Sequence, residues 1–203
     1  MIAIIDYGMG NVGSIKNMLK HINIEALITD DPKTILSASH LILPGVGSYD
    51  AGVNNLKAKK LDLVIKEFAL ELNKPVLGIC LGMQLLGNKS EEGKLKGLGL
   101  IDFENIKFSK ELNLKIPNMG WNYIKVMDKD DPLTKEILDD DRFYFVHSYY
   151  AVCKNKENIL MTADYGLNYT ASVRKNKIYG VQFHPEKSHY FGMKILRNFA
   201  LEV

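Results

Sequence analysis

An α/β fold is predicted for this chain, with a central mixed and mostly parallel sheet, helices on both faces and an added antiparallel strand region. Three features carry that expectation. The first half alternates short apolar runs with amphipathic segments, the βαβα order that builds parallel sheets. The second half replaces this rhythm with closely spaced strand-like runs. The early apolar runs stop at Asp6, at Asp31-Pro32 and at Pro44-Gly45, the punctuation of strands that end in loops. At 203 residues the chain suits one domain spanning 1–203 and can bury a substantial core.

Taken in order, Ile2-Ala3-Ile4-Ile5 is a buried strand and Tyr7 to Asn11 the turn after it. Val12 to Ile22 is an amphipathic helix, with Val12, Ile15, Leu19 and Ile22 on one face. Glu25 to Thr29 is a second strand, and Asp31-Pro32 opens the turn into the next helix. His40 to Leu43 is a third strand, cut off by Pro44-Gly45-Val46-Gly47. Asn54 to Leu72 is mainly helical, and Pro75 to Ile79 is another buried strand. After the glycine-rich loop Gly93 to Gly99, strands are expected around Phe103 to Phe108, Tyr123 to Met127, Phe143 to Val152 and Met161 to Asp164. Thr170 to Arg174 and Ile178 to Phe183 form a hairpin turning at Lys175-Asn176, and His189 to Ala200 is the final helix.

Composition excludes several classes of function. A formal charge of +2 is too small to argue for nucleic acid or a membrane surface. No apolar run approaches the ~18 residues of a membrane span. Met1 to Ile5 stops at Asp6 and lacks a charged n-region, so it reads as a strand rather than a signal peptide. Two cysteines, Cys80 and Cys153, make neither a disulfide framework nor a zinc cluster, and they fit a reducing cytoplasm. No metal or cofactor is expected.

The chemistry centres on Gly78-Ile79-Cys80-Leu81-Gly82, a G-x-nucleophile-x-G pattern between a strand and a helix. Such a turn holds its nucleophile in a strained conformation, and flanking glycines give the strand and helix room to approach. A helix beginning at Cys80 would favour the thiolate, and the Leu81 N–H would point toward an oxyanion beside the sulfur. A buried cysteine in a glycine-rich connection is the competing reading.

A thiolate needs a proton shuttle. In Gln182-Phe183-His184-Pro185-Glu186, extended geometry would put Glu186 on the same side as His184, where a carboxylate could fix the imidazole tautomer. The roles follow as Cys80 nucleophile, His184 base and then acid, and Glu186 orienter. Pro44 to Gly47 ends a strand expected beside the cysteine strand, so a backbone N–H there would join Leu81 N–H at an oxyanion. Gln84, one turn into the helix, faces either pocket or solvent. His147 is a rival base or a polar residue on a half-buried strand. Trp121 is core or, after Gly120, part of a partner surface.

Gly8-Met9-Gly10-Asn11-Val12-Gly13 also matches the dinucleotide pattern G-x-G-x-x-G, with Asp30 and Asp31 near the position of a ribose-binding acid. The chain is short for a cofactor domain plus a substrate domain, and that reading leaves Cys80 and His184 without a role. A glycine-rich turn over the sheet edge is the alternative.

The segments GICLGMQLL, PGVGS, MGWN, FVHSYY and QFHPEKS follow the order and spacing of class I glutamine amidotransferases. Within that class the chain most resembles the glutaminase subunits of imidazole glycerol phosphate synthases, over nearly its whole length from IIDYGMGN onward. The resemblance implies a class I glutaminase (flavodoxin-like) fold and hydrolysis of L-glutamine to glutamate and ammonia through a thioester on Cys80. His184 and Glu186 would complete the triad. It further implies that the backbone of Val46, Gly47 and Leu81 belongs to the oxyanion region, and that Gln84, His147, Ser148 and Tyr149 belong to the glutamine pocket. Asn11, Trp121, Asn122, Tyr144 and Lys187 match a face that docks on a (βα)8-barrel cyclase subunit, which receives the ammonia. In this reading the GMGN turn belongs to the docking face. The tail from Ser188 to Phe199 looks more like paralogues from surface-sugar gene clusters, whose ammonia would go to a sugar-modifying amidotransferase.

Overall fold

The computed structural model describes residues 1–109, 111 and 113–203. Strands and helices alternate through the first half as β1 (Ile2–Ile5), α1 (Val12–His21), β2 (Ala26–Thr29), α2 (Pro32–Ser37), β3 (His40–Leu43), α3 (Tyr49–Ala58), α4 (Leu61–Lys66), β4 (Val76–Ile79) and α5 (Leu81–Leu86). The second half carries β5 (Lys89–Ser90), β6 (Phe103–Lys107), β7 (Asn118–Val126), β8 (Arg142–His147), β9 (Tyr149–Cys153), β10 (Ile159–Asp164), β11 (Asn168–Lys175) and β12 (Ile178–Val181), and ends in α6 (His189–Leu201).

These strands join one sheet in the order β2-β1-β3-β4-β12-β11-β10-β7-β8, with β9, β6 and β5 branching from β11. Pairing is parallel from β2 through β12 and antiparallel from β12 to β8. The chain's last strand thus lies beside β4, in register at Val181 and Ile79. Every residue of β1 and β4 is buried. Alternation divides them between two cores. Ala3, Ile5, Leu41, Leu43 and Val76 meet α2 to α5, while Ile2, Ile4, Ile42, Leu77 and Ile79 meet α1 and α6.

Local chemistry explains the boundaries. Asp31 caps α2 by accepting from Thr34 N–H at 2.8 Å, with Pro32 in the first turn where no donor is needed. The helical region expected at Asn54 to Leu72 begins earlier, at Tyr49. It breaks at Lys60, which takes φ +57, and finishes in a π-turn at Glu67–Glu71. The run from Phe143 to Val152 is two strands, because β8 pairs with β7 while β9 pairs with β6 and β11. Ser148 sits at the change of partners. β7 begins at Asn118, ahead of the expected Tyr123, since Met119, Trp121 and Tyr123 are exposed apolar residues that blur the alternation. Among the described residues no helix is long and apolar enough to cross a membrane.

Candidate active site

β4 delivers the chain to Cys80, which turns at φ +55 and ψ −111 before α5 begins at Leu81. That backbone region is costly for any side chain. It is enforced from both sides: Cys80 N–H donates to Val181 O at 2.8 Å, and Cys80 O accepts from Gln84 N–H. The glycines are there for contact. A Cβ on Gly78 would lie 2.7 Å from Gly82 O, and one on Gly82 would overlap the Leu43 carbonyl oxygen.

Because β12 runs parallel to β4, both strands end at the same edge, and the chain leaving β12 reaches His184 next to the elbow. His184 is extended as expected, but Pro185 and Glu186 are not. Pro185 fixes φ and starts a short 3-10 turn, Pro185–Lys187, and the Glu186 carboxylate reaches back within it. Its Oε1 accepts from His184 Nδ1 at 2.8 Å, with both side chains almost wholly buried. Ser188 pins the turn by donating to His184 O at 2.7 Å and accepting from Tyr144 N–H. Burial opposes charge on His184, but its interactions with Cys80 and Glu186 prevail and push the imidazole up to about 10. Burial likewise opposes ionisation of Glu186, and the His184 bond overcomes it, holding the carboxyl below its usual range. Nε2 of His184 is buried without a hydrogen-bond partner among the described residues. It is the free end of a histidine whose other nitrogen is taken.

Cys80 and His184 line a cavity of about 310 Å³ together with Val46, Gly47, Leu81, Gln84, His147, Ser148 and Tyr149. Gly47 adopts φ +113, a conformation suited to glycine, and lines the cavity with Val46 and Leu81. His147 is no rival base. It is 5% exposed, its Nδ1 donates to Tyr149 O at 2.8 Å, and its Nε2 accepts from Asn118 at 3.2 Å. Burial, helped by the nearby His184 charge and opposed by the Tyr149 bond, pushes it down to about 4. Gln84 faces the cavity and commits its nitrogen to Tyr149 O and Gln182 Oε1.

Three residues escaped the sequence reading. Glu92 places a carboxylate in the cavity wall while accepting from Tyr49 N–H at 2.8 Å. Tyr7, fully buried, donates to Pro44 O at 2.7 Å and so restrains the Pro44 to Gly47 turn. Gln182, fully buried, has its amide nitrogen 3.7 Å from Cys80 Sγ. Only its position two residues before His184 hinted at it.

Of the five residues matched to a docking face, Trp121, Tyr144 and Lys187 lie together. Trp121 is exposed, stacks on His189 at 5.6 Å and meets Tyr144 edge-on. Lys187 lies over the Tyr144 ring. Asn11 reaches the buried His184–Glu186 pair, donating to Glu186 Oε1 at 3.4 Å. Asn122 turns to the opposite side of β7 from Trp121 and donates to Asp164 O. The GMGN turn packs against Pro44, where a Cβ on Gly10 would come within 2.9 Å. Of the two acids of the dinucleotide reading, Asp30 is paired with Lys59 at 2.8 Å and Asp31 caps α2.

The family model described as Glutamine amidotransferase class-I matches residues 3–203. The chain is 56% identical over 199 residues to Imidazole glycerol phosphate synthase subunit HisH 2 of Methanococcus maripaludis, covering 98% of each. It is 46% identical to the subunit of the same name from Pseudomonas aeruginosa, again over 98% of each. A solved structure described as a glutamine amidotransferase superposes with TM-score 0.76 at 17% identity, over 98% of this chain and 97% of that one, a likeness of fold. An elbow cysteine, a buried His–Glu pair beside it and this full-length similarity lead to one conclusion: the chain belongs to the class I glutamine amidotransferase family.

Proposed function

We propose that this chain is the glutaminase subunit of an imidazole glycerol phosphate synthase, acting as a single domain in the cytoplasm and passing ammonia to a (βα)8-barrel cyclase. The observation that carries the reading is the placement of Cys80 with His184 Nε2, unpartnered among the described residues, at one cavity, behind a buried His184–Glu186 bond. Free cysteines fit a reducing compartment.

The steps follow from these groups. Glutamine enters with its ammonium toward Glu92 and its polar end toward Gln84 Oε1, whose own nitrogen is already committed. The Cys80 proton passes to His184 Nε2, which holds it ahead of the attack, and Sγ then attacks the carboxamide carbon as the carbonyl π electrons move onto oxygen. Backbone N–H groups of Leu81 and of the Val46–Gly47 turn receive that oxyanion. Collapse breaks the C–N bond, His184 gives its proton to the departing nitrogen, and ammonia leaves a γ-glutamyl thioester. Water attacks next, loses its proton to His184, and the second collapse releases glutamate and restores the thiol. Glu186 holds Nδ1–H throughout and stabilises the imidazolium.

A second reading, a glutaminase serving a surface-sugar amidotransferase, draws on one feature. His189, from the divergent tail, covers one face of Trp121 and so reshapes the surface meant for a partner. Glutamate release measured with and without each candidate partner tests both readings. The expected result is weak release alone and strong stimulation by the histidine-pathway barrel. Stimulation only by a sugar-modifying partner would move the assignment, and undiminished stimulated activity in Cys80→Ala would remove Cys80 as nucleophile.

A further inference from the structure

Gln182 leaves β12 between the strand and His184, its backbone N–H bonded to Ala171 O at 2.8 Å and its side chain wholly buried. Its amide spans two polar partners. Oε1 accepts from Gln84 Nε2 at 3.0 Å, and Nε2 stands 3.7 Å from Cys80 Sγ. Which end faces the sulfur is decided by the network, since an amide can be turned end for end. The Tyr149 carbonyl only accepts, so the Gln84 group 3.3 Å from it is the nitrogen. That same nitrogen donates to Gln182, which fixes Oε1 on that side. The N–H donors of Gln182 are left for the sulfur. The Tyr149 carbonyl also accepts from His147 Nδ1, so one cavity-wall carbonyl orients both groups.

We infer that Gln182 is a further residue of the reaction, its amide N–H donating to Cys80 Sγ and holding the nucleophile in place as the thiolate forms. A donor aimed at a sulfur stabilises the anion more than the neutral thiol, because hydrogen bonds to charged groups are the stronger ones. The route runs Tyr149 O, Gln84, Gln182, Cys80, from the cavity wall to the reacting atom. Its part in turnover rests on the glutaminase reading above, whereas the hydrogen bond to sulfur does not.

The test compares the whole chain with Gln182→Met, which keeps length and loses the donor. Cys80 alkylation by iodoacetamide is followed across roughly pH 6 to 9, with the modified thiol assigned by peptide mass spectrometry because Cys153 is also free. Loss of the bond is expected to slow alkylation at neutral pH about tenfold and to displace the pH profile upward. With partner present, kcat should fall by a similar factor while KM for glutamine stays within about twofold. An unchanged alkylation profile, with only the thermal midpoint lowered, would reduce Gln182 to a packing role and overturn the inference. If the Met variant fails to fold, Gln182→Glu keeps the shape and sets an acceptor against the sulfur. It should react still more slowly, and a wild-type rate would overturn the inference equally. If the parent chain hydrolyses no glutamine with any partner, the glutaminase reading falls while the alkylation comparison still decides the role of Gln182.

Discussion

At Cys80 a side chain occupies a backbone region that glycine tolerates and other residues avoid, so the cysteine is held at a cost to stability. Cys80→Gly should therefore be more stable than Cys80→Ala by about 1 kcal/mol, the reverse of the usual order, with both inactive. Denaturant unfolding of the two variants measures it, and an Ala variant at least as stable would show the turn to be relaxed. His147 supplies a pH dependence. Its folded value of about 4 lies below the unfolded 6.5. Between those values the unfolded chain binds the extra proton, so stability rises with pH and is lost as pH falls through the window. The loss is on the order of 3 kcal/mol. His147→Gln keeps a donor and an acceptor and should flatten the stability profile between about pH 6.5 and 4 in urea titrations. The sequence showed a histidine in an aromatic strand; it is the depth of its burial, against the pull of the Tyr149 carbonyl, that keeps it neutral.

Among elements, the β4–α5 unit was legible because glycine spacing reports close approach directly. Gly82 has no space for a methyl group beside Leu43 O, and Leu43 belongs to β3 rather than to the elbow itself. Gly82→Ala should cost about 2–3 kcal/mol and displace the Cys80 turn, read as a lowered denaturation midpoint with glutamine turnover lost. A variant of parental stability would mean that β3 and α5 can separate freely. The segment after β12 was legible in its residues and not in its shape. His184 and Glu186 meet through a proline-started turn, a geometry that alternation along a strand does not describe. The single run seen from Phe143 to Val152 hid a switch of partners at Ser148, because one strand's apolar pattern cannot say which neighbour each half pairs with.

Across the whole molecule, the sheet order makes the site. Inserting β12 beside β4 brings the late His184 segment to the early Cys80 turn, at the carboxyl edge where open α/β sheets bind ligands. Asn11, bonded to Glu186, extends that site to the loop after β1, on the side of the expected docking face. Trp121 stands on the outer surface of β7, 43% exposed and held between His189 and Tyr144. If a barrel subunit docks there, Trp121→Ala should weaken association by about 2 kcal/mol, roughly thirtyfold in Kd, with unaltered folding. Calorimetric titration of the partner measures the change, and an unchanged Kd would place docking elsewhere.

By itself the sequence determined the elbow, the identity of the His–Glu pair, the parallel first half and the family, since each is written in short-range spacing or in motif order. The tertiary structure decided what depends on neighbours distant in sequence. It bonded His147 to Tyr149 and Asn118, turned Asn122 away from Trp121, tied Asp30 to Lys59, and set Gln182 against the sulfur. The physical reason is common to all four. A polar side chain's role is set by the donor or acceptor it meets, and in this sheet those partners arrive from other strands and helices.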